Sequence, residues 1–160
     1  MVDVAPELTA LIETLRDQEQ RLQFGSFDLN DAWALGTLLV DTARARSLGV
    51  TVDITRGDQQ VFHAALPGTT PDNDEWIARK VRTVRRFQHS SFLVGRLAEL
   101  DGVDFHEVFG LSTALFVAHG GSFPIIVRGS GQVGTVTVSG LPQADDHALV
   151  VEVLEAFLGA

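Results

Sequence analysis

The sequence predicts an α+β fold, a five-stranded, mainly antiparallel sheet with flanking helices. Three observations predict it. The spacing of apolar residues switches along the chain between a helical period and an alternation of two. The strand-like runs are joined by short glycine-containing turns, which suit antiparallel neighbours. The chain has 160 residues, 45% of them hydrophobic, with no linker, repeat or low-complexity tract, so residues 1–160 read as a single domain with one core.

In residues 6–22, Leu8, Leu11, Ile12, Leu15 and Leu22 fall at helical spacing, and Gly25 closes this first helix. A second helix starts at Asp28 or Asn30 as N-cap, runs through Trp33, Leu35, Leu39 and Val40, and ends at Gly49. Its apolar face, Trp33 included, belongs to the core. Residues 50–55 and 60–66 then alternate about Arg56-Gly57-Asp58 and form a β-hairpin ended by Pro67-Gly68. Asp72 with Glu75 forms a capping box opening one long helix through Trp76, Ile77, Val81, Val84, Leu93 and Leu97, loosened by Gly95. Residues 113–118, 123–128 and 133–139 supply three further strands. The last helix starts near Pro142, places Asp145 and Asp146 where the helix dipole favours them, and buries Leu149, Val150, Val153, Leu154 and Phe157.

Composition removes several function classes. There is no cysteine, which excludes disulfides, zinc-thiolate sites and thiol chemistry. No apolar run reaches the roughly 18 residues that span a bilayer, and residues 1–7 lack a basic region followed by an apolar one, so a cytoplasmic protein without a membrane partner is expected. The net charge of −9 argues against a nucleic-acid surface. One segment reverses this balance: Arg79, Lys80, Arg82, Arg85 and Arg86 are five of the 12 basic residues.

Gly129, Gly131 and Gly134 follow an apolar run in the spacing of a dinucleotide fingerprint. The fingerprint requires a helix immediately afterwards, whose N-terminal amides hold the pyrophosphate. Thr135-Val136-Thr137-Val138 is instead β-branched and alternating, so the glycines are read as a hairpin turn.

Several separated motifs, in order, resemble the haem-degrading-domain family of GlcG-like and HbpS-like proteins, in its intracellular, largely uncharacterised branch. They are Asp72-Asn73-Asp74-Glu75-Trp76-Ile77, Ser90-Ser91, the stretch from Ala118-His119-Gly120-Gly121 to Ile125, the stretch from Gly134 to Leu141, and Asp145-Asp146-His147. The resemblance covers residues 6–159. It implies a profilin-like α/β layered sandwich, homo-oligomers of two or more copies, and an association with haem. No counterpart of the secretion signal and N-terminal metal-binding extension of the extracellular members is expected here.

Candidate ligand-binding residues follow. His119, with Gly120, Gly121, Phe123 and Pro124, forms the turn where a backbone can approach a ligand closely, or where the glycines simply make the bend. With haem bound, His119 would be the iron ligand; the other reading is a histidine with a purely structural role. Arg79, Arg82 and Arg86 share one helical face, suited to carboxylates such as haem propionates or to acidic surfaces of neighbouring subunits. Asp145-Asp146-His147 is read as structural, because consecutive helical residues point apart. His63, His89 and His106 are read as isolated, and His89-Ser90 lacks an orienting acid. With no catalytic constellation, any reaction would be oxidative haem degradation by bound iron and oxygen. The leading expectation is a homo-oligomeric domain that binds a small anionic ligand, haem among them; the alternative is a non-enzymatic assembly or adaptor module without cofactor.

Overall fold

The computed structural model describes residues 5–160. The expectation of no targeting segment rests partly on residues 1–4, which lie outside the described residues. The elements are α1 (Ala5–Arg21), α2 (Leu29–Ala45), β1 (Thr51–Arg56), β2 (Gln59–Ala65), α3 (Pro71–Phe87), α4 (Ser91–Leu100), α5 (Phe105–Phe109), β3 (Ser122–Val127), β4 (Gly131–Ser139) and α6 (Gln143–Leu158). The sheet has four strands in the order β2-β1-β4-β3, every neighbouring pair antiparallel. Among the described residues no helix is long and apolar enough to cross a membrane.

Period-two alternation splits the sheet into two unlike faces. Val52, Ile54, Phe123, Ile125, Val136 and Val138 join α2 and α6 in the main apolar core. Thr51, Asp53, Ser122, Thr135, Thr137 and Ser139 alternate with them, equally buried, on the side covered by α3. A smaller apolar cluster joins α1 to α4 through Leu8, Ile12, Leu15, Phe92 and Leu93.

The fifth expected strand, residues 113–118, does not form. Ser112 takes up the local amides: its carbonyl accepts from Leu115 and Phe116, and its hydroxyl from Ala114 N–H at 3.2 Å. Side chains take the carbonyls that a neighbouring strand would have paired. Arg79 donates to Thr113 O (3.4 Å), Arg82 to Leu115 O (3.3 Å), His106 Nε2 to Phe116 O (2.8 Å) and Thr83 to Val117 O (2.8 Å). A strand here would have left these donors unpaired.

The long helix over residues 72–97 is two helices. Gln88 adopts φ 57°, in the left-handed region, and ends α3. Glu19 then holds the break: its carboxylate accepts from His89 Nδ1 at 2.7 Å and from Ser90 N–H at 2.6 Å. Glu19 is the acid beside His89-Ser90 that the sequence did not reveal, but the Ser90 hydroxyl is committed to capping α4, accepting from Leu93 N–H. Gly95 loosens nothing; a β-carbon there would collide with the Ala118 carbonyl, so the glycine lets α4 touch that loop.

Other boundaries shift for local reasons. Asp28 and Asp31 exchange side-chain-to-amide bonds of 2.8 Å in a capping box at the start of α2. That helix stops at Ala45 instead of Gly49, with Ser47 in the left-handed region at φ 54°. α1 stops at Arg21, before Gly25. α3 is capped by Asn73, which accepts from Thr70 N–H at 2.9 Å, in place of the Asp72–Glu75 box. Trp33 is not in the core; it is 67% exposed. Gly129 and Gly131, at φ 82° and 88°, turn β3 into β4, so a strand follows the G-x-G-x-x-G spacing.

Candidate functional site

A cavity of about 220 Å³ opens where the N-terminal ends of α3 and α6 meet the end of β4. Trp76, Lys80, His119, Gln143 and Asp146 contribute to its walls. Its polar character follows from the hydroxyl-bearing face of the sheet beneath α3.

Lys80 is the buried member of the basic run, 2% exposed, and projects from the same side of α3 as Ile77, Val81 and Val84. Its ammonium donates to Val138 O and to Asp146 Oδ2, both at 3.1 Å. Asp146 also accepts from Leu141 N–H at 2.9 Å. Burial presses the Lys80 amine down and the Asp146 carboxyl up, each opposed by the charge of the other.

The paired glycines bring the loop into this corner. Gly121 has φ 135°, and a β-carbon on it would meet Lys80 Nζ at 2.6 Å. Gly120 N–H donates to the Gln143 side-chain oxygen at 3.0 Å. So guided, the His119 ring stacks on Trp76, with centroids 5.3 Å apart and planes at 25°. The Arg79 guanidinium lies 4.2 Å from the Trp76 ring centre. Burial, followed by the positive charges of Lys80, Arg96 and Arg79, pushes the His119 imidazole below its ordinary pKa. It stands in cationic surroundings that disfavour its protonation, exposed on one side and without a side-chain hydrogen bond among the described residues.

Of the residues singled out in the sequence, His119, Gly120, Gly121 and Arg79 come together here. Arg82 and Arg86 do not: Arg82 bonds the loop at Leu115 O, and Arg86 lies 5.9 Å from the Phe116 ring. Phe123 is 0% exposed in the core on the far face of the sheet. Pro124, buried in β3, pairs in register with Thr135. His119 follows a strapped loop and precedes β3, so it does not lie between two strands. The residues missed are Trp76, Lys80, Gln143 and Asp146. Lys80 carried a signal: it occupies an i+3 position from Ile77, on the buried stripe.

The family model for "Haem degrading protein HbpS-like" matches residues 27–155. The chain belongs to the HbpS-like family. A UPF0303 protein of Streptomyces coelicolor is 54% identical to this HbpS-like chain over 158 residues, covering 99% of each. The crystal structure of the Ybr137w protein is 32% identical, with a TM-score of 0.86 over 92% of this chain and 87% of that one. A PduOC–haem complex shares the fold at 16% identity and a TM-score of 0.67, over 82% of this chain and 94% of that one.

Proposed function

We propose that this HbpS-like chain binds a small anionic ligand at the mouth of the Trp76–His119 cavity, with haem as the leading candidate. The observation that carries the reading is the grouping of charge on a chain of net charge −9: His119 stacks on Trp76 with Arg79 over the same ring, and burial and the charges of Lys80, Arg96 and Arg79 disfavour its protonation. A neutral imidazole with a free edge is the form that ligates a metal. Arg79, half-buried on the neighbouring Trp76 ring, is a cation available to a carboxylate. These donors fit the iron and the carboxylates of haem, which when bound would supply iron-centred oxygen chemistry. The half-open cavity, polar and about 220 Å³, fits a carboxylate-bearing end of a ligand. The family description and the haem complex of the PduOC relative support haem over other anions.

Hemin titration tests the proposal. The expected result is a saturable Soret shift, abolished by His119→Ala and weakened on the order of tenfold by Arg79→Ala, the worth of one charge-assisted hydrogen bond. A Soret change that never saturates, or one that His119→Ala leaves intact, overturns it.

A further inference from the structure

Lys80 is the single lysine of the chain; all the others among its 12 Lys and Arg residues are arginine. Where this protein needs only a positive charge it uses a guanidinium, which stays protonated and is no nucleophile. Its one side-chain amine is buried, 2% exposed, and forms part of the wall of the cavity of about 220 Å³. The ion pair with Asp146 does not by itself call for an amine, because arginine is the side chain better suited to buried pairs. What a buried lysine offers instead is a nitrogen lone pair once a proton has left.

The surroundings of Nζ suit that chemistry. Two of its N–H positions meet Val138 O and Asp146 Oδ2, both at 3.1 Å, and the third has no acceptor among the described residues. Gly121 leaves the space beside the amine open, since a β-carbon there would stand 2.6 Å from Nζ. Burial disfavours both charges of the pair, so Asp146 Oδ2 is an acceptor for the ammonium proton within direct reach. We propose that Lys80 forms a reversible imine with a small 2-oxo acid held in this cavity. Freed of one proton by Asp146, the amine attacks the keto carbon; a C–N bond forms, and the C–O bond of the resulting carbinolamine breaks. The oxygen leaves as water with two of the three ammonium protons, one of them returned by Asp146, and the third stays on the iminium nitrogen. Charge is conserved, so the iminium N–H still faces the Asp146 carboxylate and the buried pair survives the reaction. The carboxylate of the ligand has its partner in Arg79, whose guanidinium lies 4.2 Å from the Trp76 ring on the cavity wall. Asp72, the other acid on that wall, is exposed and screened by solvent. A cavity of roughly 150 Å³ takes up benzene, so about 220 Å³ holds acids of a few carbons. The inference rests on the anion seat of the reading above, and it needs neither His119 nor iron.

Reductive trapping with pyruvate and cyanoborohydride, read by mass spectrometry, tests it on the wild-type chain. The expected result is a reduced pyruvyl group on the peptide that contains Lys80, formed in a reaction that saturates with pyruvate. The α-amino group, the other amine, maps to a different peptide. Lys80 should label on the order of tenfold or more faster in the folded chain than in guanidinium chloride, where it becomes an ordinary protonated lysine. Arg79→Ala should raise the half-saturating pyruvate concentration on the order of tenfold, with circular dichroism unchanged. The trapping contains no hemin and the hemin titration no pyruvate, so either reading can fail alone. No label on Lys80 at millimolar pyruvate, labelling no faster than in the unfolded chain, or an unchanged saturation curve in Arg79→Ala each overturns the proposal.

Discussion

On one face of the sheet Val52, Ile54, Phe123, Ile125, Val136 and Val138 are 0% exposed beneath α2 and α6; on the other, Thr51, Ser122 and Thr137 are equally 0% exposed beneath α3. The first face is held by removal of apolar surface from water, which needs no particular partner. The second must satisfy every hydroxyl and charge it buries. It meets most of this demand with directed bonds, Ser122 Oγ to Thr137 Oγ1 at 2.8 Å, Lys80 to Asp146, and His63 between Asp53 (3.1 Å) and Asp74 (3.0 Å), so this histidine is not isolated, while the Thr51 and Thr135 hydroxyls stay unpartnered. Directed bonds fill space less completely than aliphatic side chains. Two cavities, about 220 and 290 Å³, lie between α3 and this face. The polar face is thus where the molecule has room for a ligand, and the apolar face is its platform.

The largest expected effect breaks the polar face at its ion pair. Lys80→Met leaves Asp146 buried without its counter-charge, a loss of about 3–5 kcal/mol in denaturant unfolding. Replacing both, Lys80→Met with Asp146→Leu, should cost clearly less than Lys80→Met alone. A double variant as unstable as the single one would show that the pair contributes packing and not charge compensation.

A smaller effect probes the polar intruder on the apolar side. His147, on α6, touches the Phe92 and Phe123 rings, its Nδ1 is buried without a partner, and burial pushes its pKa down to about 4. The fold holds it neutral, whereas the unfolded chain binds a proton from about pH 6.5 downward. Stability from this group is therefore full above 6.5 and drains away as pH falls toward 4, by about 2–3 kcal/mol at pH 4.5. His147→Leu should flatten that part of the stability profile; an unchanged acid slope would contradict the assignment.

The smallest effects compare two threonines of the polar face. Thr137→Val strands the Ser122 hydroxyl and should cost about 1–3 kcal/mol. The Thr51 hydroxyl is buried with no partner, so Thr51→Val should change stability by no more than about 0.5 kcal/mol, or raise it. Thermal melts that rank the two in the opposite order would mean that Thr51 has a partner the comparison lacks.

Part of the candidate site was legible, and the remainder was hidden for an identifiable reason. His119-Gly120-Gly121 stood out as a motif of the family resemblance and because paired glycines let a backbone approach a ligand closely. Lys80 was absorbed into a basic run, and Asp146 into an acidic helix start, since each has an adequate local explanation. Their pairing spans 66 positions, and nothing near either residue announces it. Trp33 misled in the other direction: its helical spacing marks a core residue, yet Phe62 has taken the place beneath it over Gly36.

By itself the sequence determined what short-range physics controls. The N-cap of α2 at Asp28, the hairpins about Gly57 and Gly129, and the apolar alternation of β1 and β4 depend on residues a few positions apart, and all appear. Only the tertiary structure decided the fate of residues 113–118, whose apolar composition suits a strand. Backbone carbonyls require donors, and side chains can supply them as well as a neighbouring strand. The donors came from Arg79, Arg82 and Thr83, 33 or 34 positions away on α3, and from His106 on α5. Local periodicity cannot choose between a strand partner and a helix face that distant, because the choice rests on where α3 packs. That packing turned the predicted strand into the strapped loop that presents His119.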